Sequence, residues 1–335
     1  MSPHHWFHRR QELAAQPSPA ARRILAIDGG GIRGIIPAMV LAELEDRTGQ
    51  PACQLFDLLA GTSTGGIIAL GMAVPGPDGA PAFSAADGVR LYEERGAHIF
   101  SRSARDTVLS LGNLLHEKYP ARGIEAELQT IFGAARLSDA LTDVLVTAYE
   151  IVRRETFFFS SAAARQDAAR NFTMQEAARS ATAAPTFFEP SLVHDPVGGQ
   201  HVLIDGAIFA NSPAMCAFTQ VERDRSGGDL VLVSLGAGSM TRRFEYDEVR
   251  DWGAAQWARP ILSLVLDGVS QSTDEELADL LGPERYFRFQ VELTRASDDL
   301  DDVDPQNIQA LKAEARQMID DNGAQLDRIC ALLVR

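Results

Sequence analysis

Residues 23–37 read Arg-Ile-Leu-Ala-Ile-Asp-Gly-Gly-Gly-Ile-Arg-Gly-Ile-Ile-Pro, and residues 61–65 read Gly-Thr-Ser-Thr-Gly. The first stretch is an apolar run that breaks at Asp28 into a turn carrying Gly29, Gly30, Gly31, Arg33 and Gly34, then resumes with helical spacing. A turn of this kind can aim backbone N–H groups at a negative charge. The second stretch sets Ser63 between Gly61 and Gly65, the small flanks that a sharp strand-to-helix turn needs to hold a hydroxyl exposed. One is an anion cradle and the other a nucleophile, the two parts that acyl transfer needs most.

Outward from these stretches, strand-like runs recur at 24–28, 55–60, 144–149, 156–160, 202–205 and 230–235. Helical patterns at 35–47, 66–72, 86–99, 173–180 and 214–223 separate many of them. Strands alternating with helices predict an α/β fold whose largely parallel sheet is covered on both faces. Thr173 and Glu176 have capping-box spacing, which marks a helix start. Asp304-Pro305 reads as an N-cap followed by a proline at the first helical position. Residues 1–22 carry histidines, arginines and prolines without period and read as an N-terminal tail. Residues 23–335 read as one domain.

The chain has 335 residues, 45% hydrophobic and 23% charged, as an ordinary globular protein does. Its net charge of −15 argues against binding a nucleic-acid polymer, which needs a cationic surface, and against electrostatic adhesion to an anionic bilayer. Cys53, Cys216 and Cys330 are far apart and show neither metal-ligand spacing nor a disulfide framework. They fit a reducing cytoplasm. The N-terminus has no apolar core of a signal peptide, and the apolar stretch 65–74 is too short to span a bilayer. His4, His5 and His8 read as a solvated terminus rather than a metal site.

The turn at 29–34 also satisfies Gly-x-Gly-x-x-Gly, so a dinucleotide-binding reading stands beside the oxyanion one. That reading wants an acidic residue ending a second strand about twenty residues on. Asp46 falls in helix-like sequence and Asp57 inside a strand. A phosphate-binding P-loop is excluded, because Ile35 stands where its lysine belongs.

A serine nucleophile needs a base. The seven histidines are His4, His5, His8, His98, His116, His194 and His201, and none follows the attractive acid Asp205. His194 or His201 could serve with an earlier acid, but each reads more simply as a loop or sheet-edge residue. Asp205 closes a strand and precedes Gly206, at the end of the sheet where open α/β proteins place their sites. It is the best-placed base, although Asp-Gly is also a common turn pair.

Three ordered motifs, Asp28-Gly-Gly-Gly-Ile-Arg33-Gly34, Gly61-Thr-Ser63-Thr-Gly65 and Asp205-Gly206-Ala207, resemble those of the patatin-like phospholipases. Residues 177–188, Ala-Ala-Arg-Ser-Ala-Thr-Ala-Ala-Pro-Thr-Phe-Phe, resemble the family's segment between its serine and aspartate. The resemblance covers residues 23–240 and implies a three-layer α/β/α patatin-like fold. It implies a Ser–Asp dyad in which Ser63 attacks and Asp205 takes its proton and later activates water. The oxyanion would rest on the N–H groups of Gly29, Gly30 and Gly31, with Arg33 supporting that loop or a phosphate. The implied activity is hydrolysis of acyl esters of membrane phospholipids without metal or organic cofactor, by a cytoplasmic enzyme in transient contact with the inner face of the membrane.

Compact bacterial members include effectors switched on by cyclic oligonucleotides in antiviral defence. Residues 285–290, Arg-Tyr-Phe-Arg-Phe-Gln, followed by Leu300-Asp-Asp and a helix, resemble that group and imply a cyclic oligonucleotide activator. Arg90, Arg95, Arg102 and Arg105 are candidates to meet its phosphates, against the plainer reading of a solvated helical face. Asp298, Asp299, Asp301, Asp302 and Asp304 read as a solvated loop, since the glycine of an EF-hand loop is missing. Residues 252–269 read as a core-packing helix, or else as an interfacial helix or lid with its tryptophans at a membrane. Two further functional readings stay open, an esterase or thioesterase acting on soluble acyl groups and the dinucleotide-binding protein.

Overall fold

A computed structural model of the chain describes residues 21–99, 119–224, 229–239, 243–257 and 260–334. Most of the tail expected over 1–22, together with Arg102, Arg105 and His116, lies outside the described residues. The described strands are β1 (Arg22–Ile27), β2 (Leu58–Thr62), β3 (Asp143–Glu150), β4 (Glu155–Ser160), β5 (Ser191–His194), β6 (Gln200–Asp205), β7 (Leu230–Leu235) and β8 (Tyr286–Phe289). They form one sheet in the order β5-β6-β3-β2-β1-β7-β8, with β4 pairing β3 off that path. The run β3-β2-β1-β7-β8 is parallel. β4, β5 and β6 enter antiparallel. The sheet is therefore mostly parallel, as expected.

The apolar strands are buried on both faces, so they read as continuous hydrophobic runs rather than alternating ones. Along β1, Leu25 and Ile27 enter one core while Ile24 and Ala26 enter the other. The larger core packs the sheet against α1 (Ile35–Thr48), α2 (Thr64–Ala73), α8 (Pro305–Asp321) and α9 (Gly323–Leu333). The smaller core meets α6 (Ala214–Asp224) and, through Leu277, α7 (Pro260–Leu281). Helices on both faces give the three layers. Each fully buried Val, Leu or Ile contributes roughly 1.5–3 kcal/mol, so these two cores carry most of the stability.

Between these elements lie α3 (Ala85–Ile99), α4 (Arg122–Phe132) and α5 (Met174–Ala181). Thr173 caps α5 through a reciprocal capping box with Glu176, and Asp304 caps α8 with Pro305 at its first turn. The expected strand at 55–60 begins later, at Leu58, because residues Ala52–Leu55 form a helical turn after Pro51. β5, β8, α4 and α9 were not foreseen. Residues 252–269 are not one helix either. A single turn, Ala254–Trp257, precedes α7, which starts at Pro260.

Candidate active site

β4 occupies one edge of β3, pairing with residues from Leu145 to Glu150. The other edge is shared by two strands. β2 runs parallel up it until Thr62 faces Thr147, and β6 comes antiparallel down it until Asp205 faces Ala148. The two strand ends therefore meet head-on at consecutive residues of β3. Ser63, next after Thr62, and Asp205 are brought together by this junction.

Ser63 sits on a sharp elbow with φ 54° and ψ −125°, a region that costs a non-glycine residue on the order of 1–3 kcal/mol. It stands at the N-terminus of α2, whose dipole places about half a positive charge there. Buried Thr62 holds the elbow. Its hydroxyl donates to the Ala210 carbonyl at 2.6 Å and so accepts from the Thr147 hydroxyl at 2.7 Å.

Asp205 is 2% exposed. Its Oδ1 accepts the Ala207 N–H at 2.8 Å, and its own N–H donates to the Ala183 carbonyl at 3.0 Å. Burial raises its pKa to about 7, and the Ser63 hydroxyl and the Ala207 N–H hold that rise back. Gly206 follows because a Cβ there would lie 2.4 Å from the Thr147 hydroxyl. The helical turn Ala207–Ala210 then ties both halves of the site together. Ala210 receives Thr62, and the Asn211 carbonyl accepts the Gly29 N–H at 3.0 Å. Asn211 itself is fixed by its side-chain amide, which donates to Ser270 Oγ at 2.9 Å.

The bond from Gly29 to Asn211 corrects one expectation. The Gly29 N–H is spent on Asn211 and is not free for an oxyanion. Among the described residues the Gly30 and Gly31 N–H groups have no acceptor, and both residues line the cleft with Ser63. Thr64 and Gly65 add the unpaired first N–H groups of α2. Gly31 adopts φ +57°, and a Cβ there would strike the Leu300 carbonyl at 2.1 Å. That carbonyl accepts the Ile32 N–H at 2.8 Å, so the acidic loop before α8 closes down on the turn. Tyr119 donates to Asp301 at 2.7 Å from the other side of this loop.

Arg33 was expected to support this loop or a phosphate. Its guanidinium does not line the cleft. Its Nε approaches the Gly30 carbonyl at 3.5 Å, which braces the loop from behind. The head of the side chain enters a separate polar cavity beside Asp267 and Ser270. Asp28 is buried before the turn and held by a two-point ion pair with Arg288, at 2.6 and 3.0 Å.

The cleft over Ser63 and Asp205 encloses about 820 Å³, counting the space at its mouth. Its walls are almost wholly apolar, including Ile67, Ile99, Ile124, Phe187, Phe188 and Leu266. The segment 177–188 supplies Thr182, Ala184, Pro185 and the two phenylalanines. Among the described residues no histidine lines it. His201 instead meets Asp195 at 3.3 Å on the β5–β6 hairpin and packs beside Phe157. Asp46 lies exposed on α1, and Asp57 accepts the Arg23 N–H at 2.9 Å, so neither stands at the glycine turn as a ribose ligand would. Arg90 pairs with Asp87, and Arg95 lies 3.7 Å from Glu127. Sequence reasoning missed Asn211, Tyr92 and Leu300, whose roles depend on contacts across the fold.

An apolar cleft over a half-buried serine, a buried carboxylate and free backbone donors is the arrangement of an acyl hydrolase. The family model for patatin-like phospholipases matches residues 25–218, and the chain belongs to that family, whose members are lipid acyl hydrolases. It is 31% identical over 283 residues to Patatin-like protein 1 of Oryza sativa subsp. indica, covering 75% of this chain and 68% of that one. It is 28% identical over 346 residues to Patatin-like protein 2 of the same plant, covering 91% and 85%. Among solved structures it is similar to VipD from Legionella pneumophila, with a TM-score of 0.45, 13% identity, and coverage of 93% of this chain and 69% of that one.

Proposed function

We propose that the chain hydrolyses fatty-acyl esters of membrane phospholipids through a Ser63–Asp205 dyad. The observation that carries this reading is the head-on junction, which sets a buried carboxylate of pKa about 7 against the hydroxyl at the N-terminus of α2. Asp205 takes the Ser63 proton as Ser63 Oγ attacks the ester carbonyl carbon. The oxyanion that forms is met by the Gly30 and Gly31 N–H groups, each such donor typically worth about 3 kcal/mol in the transition state. Collapse returns the proton to the leaving alcohol, a lysophospholipid, and leaves an acyl-serine. Water then attacks that ester, gives its proton to Asp205, and releases the fatty acid as Ser63 recovers its own.

The raised pKa supports this use of an aspartate. An ordinary carboxylate is far too weak a base toward a hydroxyl, and burial narrows that gap. Among the described residues no helix is long and apolar enough to cross a membrane. Activation by a cyclic oligonucleotide belongs to the same proposal and rests on the resemblance of residues 285–302 alone.

The test is phospholipid vesicles presented to the wild type, Ser63→Ala and Asp205→Asn. Each variant should lose at least about 10³-fold in kcat while keeping the wild-type circular dichroism spectrum. A fluorophosphonate should label the wild type once, at Ser63. Turnover of soluble short esters with none on vesicles would favour the esterase reading, and full activity in either variant would end the dyad. Adding a panel of cyclic dinucleotides and trinucleotides to the same assay tests activation.

A further inference from the structure

A second apolar groove runs between α2, α3 and α4, beside the catalytic cleft. The two spaces have Ile67 and Tyr92 in common, so at that point side chains divide them. The groove is floored by Ile68, Met72, Phe83, Leu91 and Ile131, and also by Gly71. Tyr92 is held in the partition by a hydrogen bond between its hydroxyl and that of Thr64, the residue after Ser63.

Gly71 is the informative position. It lies inside α2 and is buried, yet a Cβ added to it would meet nothing within 4 Å. Its φ is not in the left-handed region, so the backbone does not need a glycine. Glycine is the poorest helix former after proline. Neither helix propensity nor packing accounts for it. What its missing side chain preserves is the empty space of the groove.

We propose that this groove receives the distal half of a long acyl chain whose carbonyl lies at Ser63. The inference rests on the acyl-hydrolase reading above and adds to it a chain-length determinant. Gly71 follows Ser63 by two turns of α2, about 12 Å along the axis at 1.5 Å per residue. An extended chain of single bonds advances about 1.2 Å per bond, as a backbone of three bonds does in about 3.5 Å. Gly71 therefore meets the chain near its tenth bond. Shorter acyl groups end in the catalytic cleft, while longer ones push the Ile67 and Tyr92 side chains apart and fill the groove. The charged residues at its rim are two cations, Arg90 and Arg95, and two anions, Asp87 and Glu94, so they set no net charge against an apolar guest.

The experiment measures kcat/KM for p-nitrophenyl butyrate, octanoate and palmitate in one detergent, for the wild type, Gly71→Ala and Gly71→Phe. Each methylene withdrawn from a buried site costs roughly fourfold in binding. Gly71→Phe should leave butyrate and octanoate within about twofold of wild type and lower palmitate by at least about tenfold. Gly71→Ala, which fills little of the groove, should fold at least as stably as wild type and shift the palmitate-to-octanoate ratio in the same direction by less. An unchanged ratio in both variants, with octanoate still hydrolysed, overturns the groove and leaves the hydrolase reading intact. A wild type that cleaves none of the three esters and resists fluorophosphonate overturns the hydrolase reading and the groove with it.

Discussion

Thr62 and Asp205 face consecutive residues of β3, Thr147 and Ala148, from strands that approach each other head-on along one edge. The site is thus a fault line in the sheet, where the parallel part ends against the antiparallel part. A strand end leaves its last carbonyl and the residue beyond it without ladder partners. The turn after Asp205 engages the donors at this junction, its Ala210 carbonyl accepting the Thr62 hydroxyl and its Asn211 carbonyl the Gly29 N–H. The Ser63 elbow, the Asp205 carboxylate and the glycine turn are therefore positioned by one short segment, residues 205–211.

The titration of Asp205 sets a pH profile of known sign. In the proposed dyad the carboxylate form is the base, so kcat/KM on a soluble ester should rise with pH and level off above about pH 7, where Asp205 has ionised. Stability runs the other way. The folded pKa lies above the ordinary aspartate value of 3.8, so the folded state holds this proton more tightly than the unfolded chain. That contribution is whole below pH 3.8 and is lost as pH rises through about 7. Asp205→Asn should therefore melt a few degrees above wild type at pH 8, with the difference vanishing near pH 4. Thermal scans across that range check it, and a gap constant with pH would contradict the assignment.

The elbow at Ser63 stores strain that a second pair of variants can read. Ser63→Ala keeps the same φ of 54° and the same strain, whereas Ser63→Gly relieves it. Ser63→Gly should be more stable than Ser63→Ala by about 1 kcal/mol or more, against the usual order for these residues near a helix. Both should be inactive. Urea unfolding of the two inactive variants makes the comparison free of substrate effects.

How much of this was legible before the fold was known follows from the range of each interaction. The strand, glycine turn, elbow and acid are local patterns, and Ser63, Asp205, Gly30 and Gly31 do line one cleft. The capping box at Thr173 and the proline after Asp304 depend only on neighbours in the chain, and both are present. Gly29 was expected to serve the oxyanion, and Arg33 to support the turn or a phosphate, because their motif adjoins it. The direction of the Arg33 side chain and the engagement of the Gly29 N–H depend on Asn211 and the cavity beside α7, which no local pattern encodes. β8 was missed because four residues, Tyr286–Phe289, are too few to show a period. Leu300 meets Gly31 across 269 positions, through a carbonyl whose role any residue type could supply.

Asp28 and Arg288 form a buried pair directly beneath the glycine turn, with side chains 2% and 11% exposed. Removing one partner strands the other charge away from water, at a cost of about 3–5 kcal/mol. Arg288→Ala should therefore lower stability by that amount and reduce activity through the displaced turn. Arg288→Ala with Asp28→Asn removes the stranded charge and should recover a large part of the loss. Denaturant midpoints for the single and double variants test the pairing, since simple additivity would deny it.

The mouth of the cleft carries its own prediction about substrate delivery. On α7, Leu266 faces the cleft, while Ile261, Leu264 and Val265 are 51%, 41% and 42% exposed. Residues 260–266 hold no charge, and Phe244, Trp252 and Trp257 stack edge-to-face just before them at 5.4 and 5.1 Å. Aromatic and aliphatic side chains of this kind enter the headgroup boundary of a bilayer. With a net charge of −15, such contact gains nothing from anionic lipid. Ile261→Asp and Val265→Asp should each lower the rate on zwitterionic vesicles by about tenfold or more, because an inserted carboxylate is costly. Both should leave a soluble short-chain ester unaffected, as neither side chain lines the cleft. Added salt should raise the wild-type rate on anionic vesicles by screening like charges. Equal losses on vesicles and on the soluble ester would place these residues in the fold rather than at the membrane.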